Sequence, residues 1–157
     1  MEPLTALSVA SNVVQFIDFA SKVINLTVNV YRAKPEGKLG ELYYLDKIRD
    51  NFRTYNNMLK HSLRQRRSAD LSSTESELIR ICEDCEGINK KLLFTLTRLK
   101  GYENELWSSF LGALKTVWSE SEIKSLRQAL DGHRQQMTLH LLASLRYYVK
   151  SAYSTRC

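Results

Sequence analysis

Two cysteines and two histidines come closest, by type and spacing, to residues that could carry out chemistry. Cys82 and Cys85 have the Cys-x-x-Cys spacing of a zinc ligand pair, but no second pair of ligands follows within the same predicted helix. Both fit an apolar stripe and cysteine is often buried, so we interpret them as core thiols. His133 and His140, seven residues apart, share one helical face. They fit boundary residues better than a metal site or a proton relay, and we predict no metal site.

The chain also lacks the sequence features of a nucleotide-binding or catalytic centre. Gly37 and Lys38 form the pair that ends a phosphate-binding loop, but no glycine stands five residues before Gly37, and Leu39 replaces the hydroxyl residue. No nucleophile, base and orienting group can be assigned from the sequence. We therefore predict a protein that is not an enzyme and needs no cofactor.

Charge is distributed unevenly along the 157 residues, in which 23 Lys and Arg against 17 Asp and Glu give a formal net charge of +6. Residues 1–30 are slightly acidic, whereas no acidic residue follows Asp131. We predict contact with an anionic membrane surface and not with nucleic acid, because no interleaved aromatic residue or known binding motif accompanies the cations. In the alternative interpretation they only solvate a loop or complement a helix dipole. The candidate surface cations are Arg64, Arg66, Arg67, Arg146 and Lys150.

The low glycine and proline content and the lack of alternating strand patterns predict an all-α fold. We expect one domain, residues 1–157, that forms a single helical bundle of four long helices plus a shorter connecting helix. Two serine or threonine residues followed by glutamate, Thr74 with Glu77 and Ser119 with Glu122, predict capping boxes at two helix starts. The predicted helices span about 3–32, 38–66, 75–100, 105–118 and 120–153.

The first predicted helix is the most apolar of these. Polar residues recur along it every three or four positions and trace one narrow face. From Pro3 to Ile17 there are 15 uncharged residues, fewer than the roughly 18 of a constitutive membrane span. Together with 3 cysteines, an odd number, and no secretory signal, this pattern predicts a protein that is made soluble and resides in the cytoplasm.

The last predicted helix carries apolar residues at helical spacing along most of its length. We expect these residues on the side that faces the bundle. Gly132 is a mild weak point within the helix. The predicted inward residues are Ile123, Leu126, Leu130, Met137, Leu141, Leu145 and Tyr148.

Two stretches of the sequence resemble one known family, in the order that the family has them. They are MEPLTALSVASNVVQFIDFASKVI and ALKTVWSESEIKSLRQALDGHRQQMTLHLLASLR. Together they resemble the N-terminal HeLo-like domain of fungal STAND proteins, the NOD-like receptors that carry a NACHT ATPase and a repeat sensor downstream. The similarity spans nearly the whole chain and is least distinctive at about residues 60–75.

The resemblance implies a cell-death module that oligomerises and then targets its first helix to the plasma membrane. The implied partners are anionic membrane lipid, further copies of the domain, and a downstream NACHT or receptor region or a partner helix. Asp18 at mid-bilayer would cost roughly 2.5 to 3.5 kcal/mol unless it is neutralised, paired with Lys22 or placed on a pore-lining face. The residues implied as the membrane-targeting helix are Leu4, Leu7, Val13, Val14, Phe16, Ile17, Asp18 and Lys22.

An interaction or adaptor bundle of a STAND receptor, with no membrane activity, is the alternative function. The bundle would then bind a helix of a partner or of its own receptor. Aromatic residues dominate the energetics of such interfaces. The candidate anchors are Tyr147, Tyr148 and Tyr153, or Trp107 and Trp118.

Overall fold

The computed structural model describes residues 3–32, 45–64, 72–98 and 118–154. No strand occurs within these ranges, and the predicted all-α helical bundle is confirmed. The predicted shorter helix at 105–118 lies outside the described residues except for Trp118. The four described helices are α1 (Pro3–Arg32), α2 (Leu45–Arg64), α3 (Ser73–Arg98) and α4 (Glu120–Ser154).

The helix ends agree with the predicted ones to within two residues wherever both are described. α1 has the predicted bounds, and α4 ends at Ser154, one residue beyond its predicted end. α3 begins at Ser73, two residues before its predicted start. The predicted parts of α2 and α3 at 38–44, 65–66 and 99–100 lie outside the described residues.

The capping box predicted for the last helix is present at the start of α4. The Ser119 amide donates a hydrogen bond to Glu122 Oε2 at 2.6 Å, and the Glu122 amide donates to Ser119 Oγ at 3.3 Å. The bond from the Ser119 amide, followed by that from its hydroxyl, holds the pKa of the Glu122 carboxyl below its ordinary value. Two of the amides that a helix start leaves unpaired are thereby satisfied.

The capping box predicted for the third helix is wrong by two residues. The Ser72 amide donates to Glu75 Oε2 at 2.8 Å, and the Glu75 amide donates to Ser72 Oγ at 3.3 Å. A hydroxyl residue followed three positions later by glutamate occurs twice in this stretch, and the helix uses the earlier pair. Glu77, which the prediction assigned to the cap, instead accepts a 2.6 Å hydrogen bond from Arg80 one turn further along α3.

α1 and α3 lie at the centre of the described bundle, where each contacts all three of the other helices. α2 packs chiefly on α3, and α4 packs chiefly on α1. Polar residues recur every three or four positions along α1, so the helix has a wide buried face and a narrow exposed one. Its buried apolar residues are Val9, Ala10, Val13, Phe16, Ile17, Ala20, Val23 and Ile24.

An aromatic cluster joins α1 to α2. The ring centroids of Phe19 and Phe52 lie 4.9 Å apart at an interplanar angle of 67°, and those of Phe16 and Tyr55 lie 6.1 Å apart in a similar edge-on arrangement. Edge-on pairs contribute about 0.5–1.5 kcal/mol beyond the area that they bury. Burial, followed by the nearby charge of Asp18, raises the pKa of Tyr55. The cluster therefore fixes how the two helices face each other.

Two polar contacts between helices set the register of the core. Asn12 Nδ2 of α1 donates to Ser62 Oγ of α2 at 3.1 Å. Asn89 of α3, which is buried, donates from Nδ2 to the carbonyl oxygen of Phe52 in α2 at 3.0 Å. A buried polar group is costly without a partner, so each bond favours one alignment of its two helices.

Candidate membrane-targeting helix

The structure divides the residues predicted to enter a membrane between the core and the surface. Val13, Phe16 and Ile17 are buried, and Val14 is half-buried against the core. Leu7 lies on the surface with 55% of its area exposed. The side chain of Leu4 lies outside the described residues. Most of the predicted surface is thus part of the core of the folded bundle.

Burial of these residues sets a thermodynamic condition on any exposure of α1. A fully buried valine, isoleucine or phenylalanine side chain contributes roughly 1.5–3 kcal/mol to stability. Val13, Phe16 and Ile17 have 0%, 0% and 1% of their surface exposed. Their transfer to water would forfeit roughly 5–9 kcal/mol, which is comparable with the roughly 5–15 kcal/mol that stabilises a domain of this kind. α1 is therefore sequestered in the bundle and needs another apolar environment in order to leave it.

Asp18 lies on the exposed side of α1, and its ion pair is with α4. Arg134 Nη2 lies 2.8 Å from Asp18 Oδ1, with both side chains about half exposed. Lys22, which the sequence suggested as a partner within the helix, lies exposed one turn further along α1. The pair joins residues 116 positions apart, so no local spacing could have revealed it. It ties α1 to the last helix from the solvent side.

One helix in the described part of the chain is long and apolar enough to cross a membrane, by length and composition alone. The stretch is Thr5–Asn25 in α1, 21 residues, of which half is buried inside the bundle. This stretch is longer than the uncharged run of 15 residues from Pro3 to Ile17 because it includes the charged residues Asp18 and Lys22. The core helix of a soluble protein meets the same criterion, so this property does not by itself place α1 in a membrane.

The candidate surface cations lie on two helices. Arg64 ends α2 with an exposed side chain, and Arg146 and Lys150 are exposed in the last turns of α4. Arg66 and Arg67 lie outside the described residues. The structure therefore places three of the five predicted cations on the surface, where they can meet an anionic partner.

The two cysteines of the Cys-x-x-Cys pair are core residues, as predicted. Cys82 and Cys85 are free thiols with no exposed surface, and Cys82 Sγ lies 3.8 Å from the carbonyl oxygen of Leu59. Burial raises the pKa of the Cys82 thiol to about 12 and raises that of Cys85 as well. Such thiols are poor nucleophiles and poor metal ligands at neutral pH because the thiolate is disfavoured.

The two histidines lie at the boundary between α4 and α3. His133 is half-buried, with Nε2 3.6 Å from Asp84 Oδ2 of α3. The same carboxylate oxygen accepts a 3.1 Å hydrogen bond from Arg80 of α3. His140 is half-buried one heptad further along α4. Among the described residues, no three His, Cys, Asp or Glu side chains are grouped in a way that could hold a metal ion.

The last turns of α4 correct one prediction about the core. Packing of α4 on the core ends at Leu141, and Leu145, predicted to face inward, has 60% of its surface exposed. The side chain of Tyr148, also predicted inward, lies outside the described residues. Helical spacing identifies an apolar side but not how far along the helix that side meets other helices. The large exposed apolar residues of this part of α4 are Leu139, Leu142, Leu145, Tyr147, Val149 and Tyr153.

Comparison with known proteins yields no relative of this chain. No protein-family model, curated protein or solved structure matches it.

Proposed function

We propose that this bundle is a non-enzymatic signalling domain of the cell-death type, in which self-association delivers α1 to a membrane. The observation that carries the proposal is the dual character of α1. Its stretch Thr5–Asn25 is suited by length and composition to a bilayer, and the folded bundle buries half of it. A helix of this kind is inactive while it is sequestered and becomes membrane-seeking once it is released.

The proposal includes the location and partners that the sequence resemblance implies. The resting protein is cytoplasmic and moves to the plasma membrane on activation. A downstream NACHT or receptor region holds it inactive. On activation, further copies of the domain pack against the core that α1 leaves, and α1 enters anionic lipid. The sequestration of Val13, Phe16 and Ile17 in the described bundle supports this order of events, because their release requires a new apolar environment.

The experiment that tests the proposal is dye release from anionic liposomes by the oligomerised chain, with Val14→Lys as the decisive variant. Val14 is half-buried near the middle of the apolar stretch, so a lysine stem can lie along the bundle surface and keep its charge in water. At mid-bilayer the same charge costs roughly 2.5–3.5 kcal/mol, or about a hundredfold in insertion. Dye release is expected to fall strongly. Ile17 is a poorer position for the test because it is fully buried.

The matched control is Leu126→Lys, which replaces a half-buried apolar residue of α4 that also packs on the core. Helicity and thermal unfolding of both variants must stay close to those of the wild type. We expect Leu126→Lys to release dye normally. Equal loss in the two variants, or no release by the oligomerised wild type, would refute α1 insertion.

The second candidate function is an adaptor bundle of a STAND receptor that binds a partner helix and not lipid. Two of its candidate anchors, Tyr147 and Tyr153, are exposed on α4, and Trp118 packs partly against the core. Vesicle co-sedimentation separates the two functions. An adaptor would stay in the supernatant with anionic vesicles at every salt concentration.

A further inference from the structure

The last turns of α4 carry an apolar stripe that is separate from the side that packs on the bundle. Leu142, Leu145, Val149 and Tyr153 follow one another at steps of three, four and four residues, which places them along one face. Their exposed fractions are 58%, 60%, 54% and 72%. These four residues are called the α4 stripe below. A row of large apolar side chains that are all more than half exposed indicates an interaction surface.

The α4 stripe is not a continuation of the core-facing side beyond the end of the bundle. The buried residues of α4 are Ile123, Leu130 and Met137, which repeat every seven residues on one side. At 3.6 residues per turn, the α4 stripe lies about a third of a turn around the helix from that side. α4 therefore has two apolar faces with different surroundings, one within the bundle and one in solvent.

Cations border the α4 stripe on the side away from the core. Arg146 and Lys150 are exposed and lie one turn apart, next to the stripe around the helix. No acidic residue follows Asp131 in the sequence, so no carboxylate of this part of α4 neutralises them. An apolar face bordered by cations and ending in a tyrosine is the composition of a helix that lies in the headgroup region of an anionic bilayer.

We infer that the α4 stripe docks the folded protein onto an anionic lipid bilayer before α1 leaves the bundle. The stripe lies on the outer surface of a single helix, and a bilayer accepts such a surface without a matching groove. A second copy of the chain is a poorer occupant, because two acid-free stripes would bring like charges together. The inference and the proposed function both involve an anionic bilayer, but docking differs from insertion because it leaves the core and α1 in place.

The test is co-sedimentation of the full chain with vesicles of phosphatidylcholine and about one third phosphatidylserine, compared with phosphatidylcholine alone. Arg146→Gln with Lys150→Gln is expected to weaken binding to the anionic vesicles by tenfold or more, at about a fivefold loss for each well-placed cation removed. Wild-type binding is expected to fall steeply with added salt. The matched control, Arg53→Gln with Lys124→Gln, removes two exposed cations from α2 and α4 and should change binding little.

The apolar part of the surface is tested by Leu142→Gln with Leu145→Gln, and Phe94→Gln, an exposed aromatic residue of α3, is its control. The stripe variant is expected to lose binding while it keeps its helicity and thermal stability. Wild-type affinity in both stripe and cation variants would overturn the inference, as would equal binding to neutral vesicles. A stripe variant that binds vesicles normally but loses a dimer or an acidic protein partner would assign the surface to that partner and overturn the lipid inference.

The outcome is separable from that of the proposed function. Docking is measured as binding without dye release, and α1 insertion as dye release by the oligomerised chain. Docking with no dye release under any condition would refute the proposed function and leave this inference intact. Dye release by a chain whose α4 stripe is dispensable for vesicle binding would support the proposed function and refute this inference.

Discussion

The Asp18–Arg134 ion pair is the clearest contact that a single residue of another helix makes with the exposed side of α1. It joins α1 to α4 at 2.8 Å with both side chains about half exposed. An exposed pair of this kind contributes roughly 0–1 kcal/mol, so it adjusts the position of α1 in the bundle and does not determine it. The buried apolar residues on the other side of α1 contribute far more.

Replacement of Arg134 by Gln is expected to increase dye release from anionic liposomes by up to about fivefold, because one restraint on α1 is lost while the core is unchanged. The assay is the initial rate of release at low salt. Arg53→Gln is the control, since its partner Asp50 lies within the same helix and the pair restrains nothing between helices. Unchanged or slower release by Arg134→Gln, measured against this control, would argue against a restraining role.

The ion pair also shows what a sequence cannot reveal at the residue scale. Cys82, Cys85, Ser119 and Glu122 were assigned correctly because helical spacing and capping chemistry are local. Asp18 and Arg134 are 116 residues apart, and their proximity depends on how α1 and α4 pack. Local spacing offered Lys22 as a partner for Asp18, but the structure supplies Arg134.

At the scale of the element, α4 is one helix with two environments. Met137 is fully buried, whereas Leu145, eight residues later on the same 35-residue helix, is 60% exposed. Periodicity predicted the helix and its ends because apolar spacing and the Ser119 cap are encoded locally. It could not separate the packed part from the exposed part, because both carry apolar residues three and four positions apart.

Two truncations within α4 are expected to differ sharply in their effect on stability. Met137→Ala should lower the free energy of unfolding by about 2–5 kcal/mol, because it leaves a cavity in the core. Leu145→Ala should change it by less than about 0.5 kcal/mol, because its side chain is mostly in water already. Urea unfolding followed by circular dichroism measures both. A large loss in Leu145→Ala would mean that the last turns of α4 are packed in solution.

For the whole molecule, the central position of α1 couples its release to the integrity of the core. α1 contacts α2, α3 and α4, so its removal exposes the part of each of these helices that packs against it. The arrangement therefore favours one cooperative unit in which α1 does not detach alone. In the proposed active state, self-association or lipid supplies the surface that replaces the core.

Hydrogen exchange is expected to reveal this coupling. Amides of α1 between Val13 and Val23 should exchange only with global unfolding, whereas those of α4 beyond Leu142 should exchange orders of magnitude faster. Mass spectrometry of peptic fragments measures both rates in the monomer. Fast exchange of α1 with slow exchange of α2 and α3 would contradict the cooperative unit and indicate spontaneous release of α1.

The burial of α1 has a further consequence for how such a sequence can vary. Val13, Phe16 and Ile17 face the protein interior in the resting state and, in the proposed active state, hydrocarbon, and both environments reward the same apolar side chains. A mutation at one of these positions is therefore expected to change the stability of the resting bundle and the affinity of α1 for the membrane in the same direction. Selection could adjust the two properties separately on the exposed face of α1, which includes Leu7, Ser8, Ser11, Gln15, Asp18 and Lys22. Substitutions that change the membrane activity of natural forms of the domain are expected to concentrate on that face.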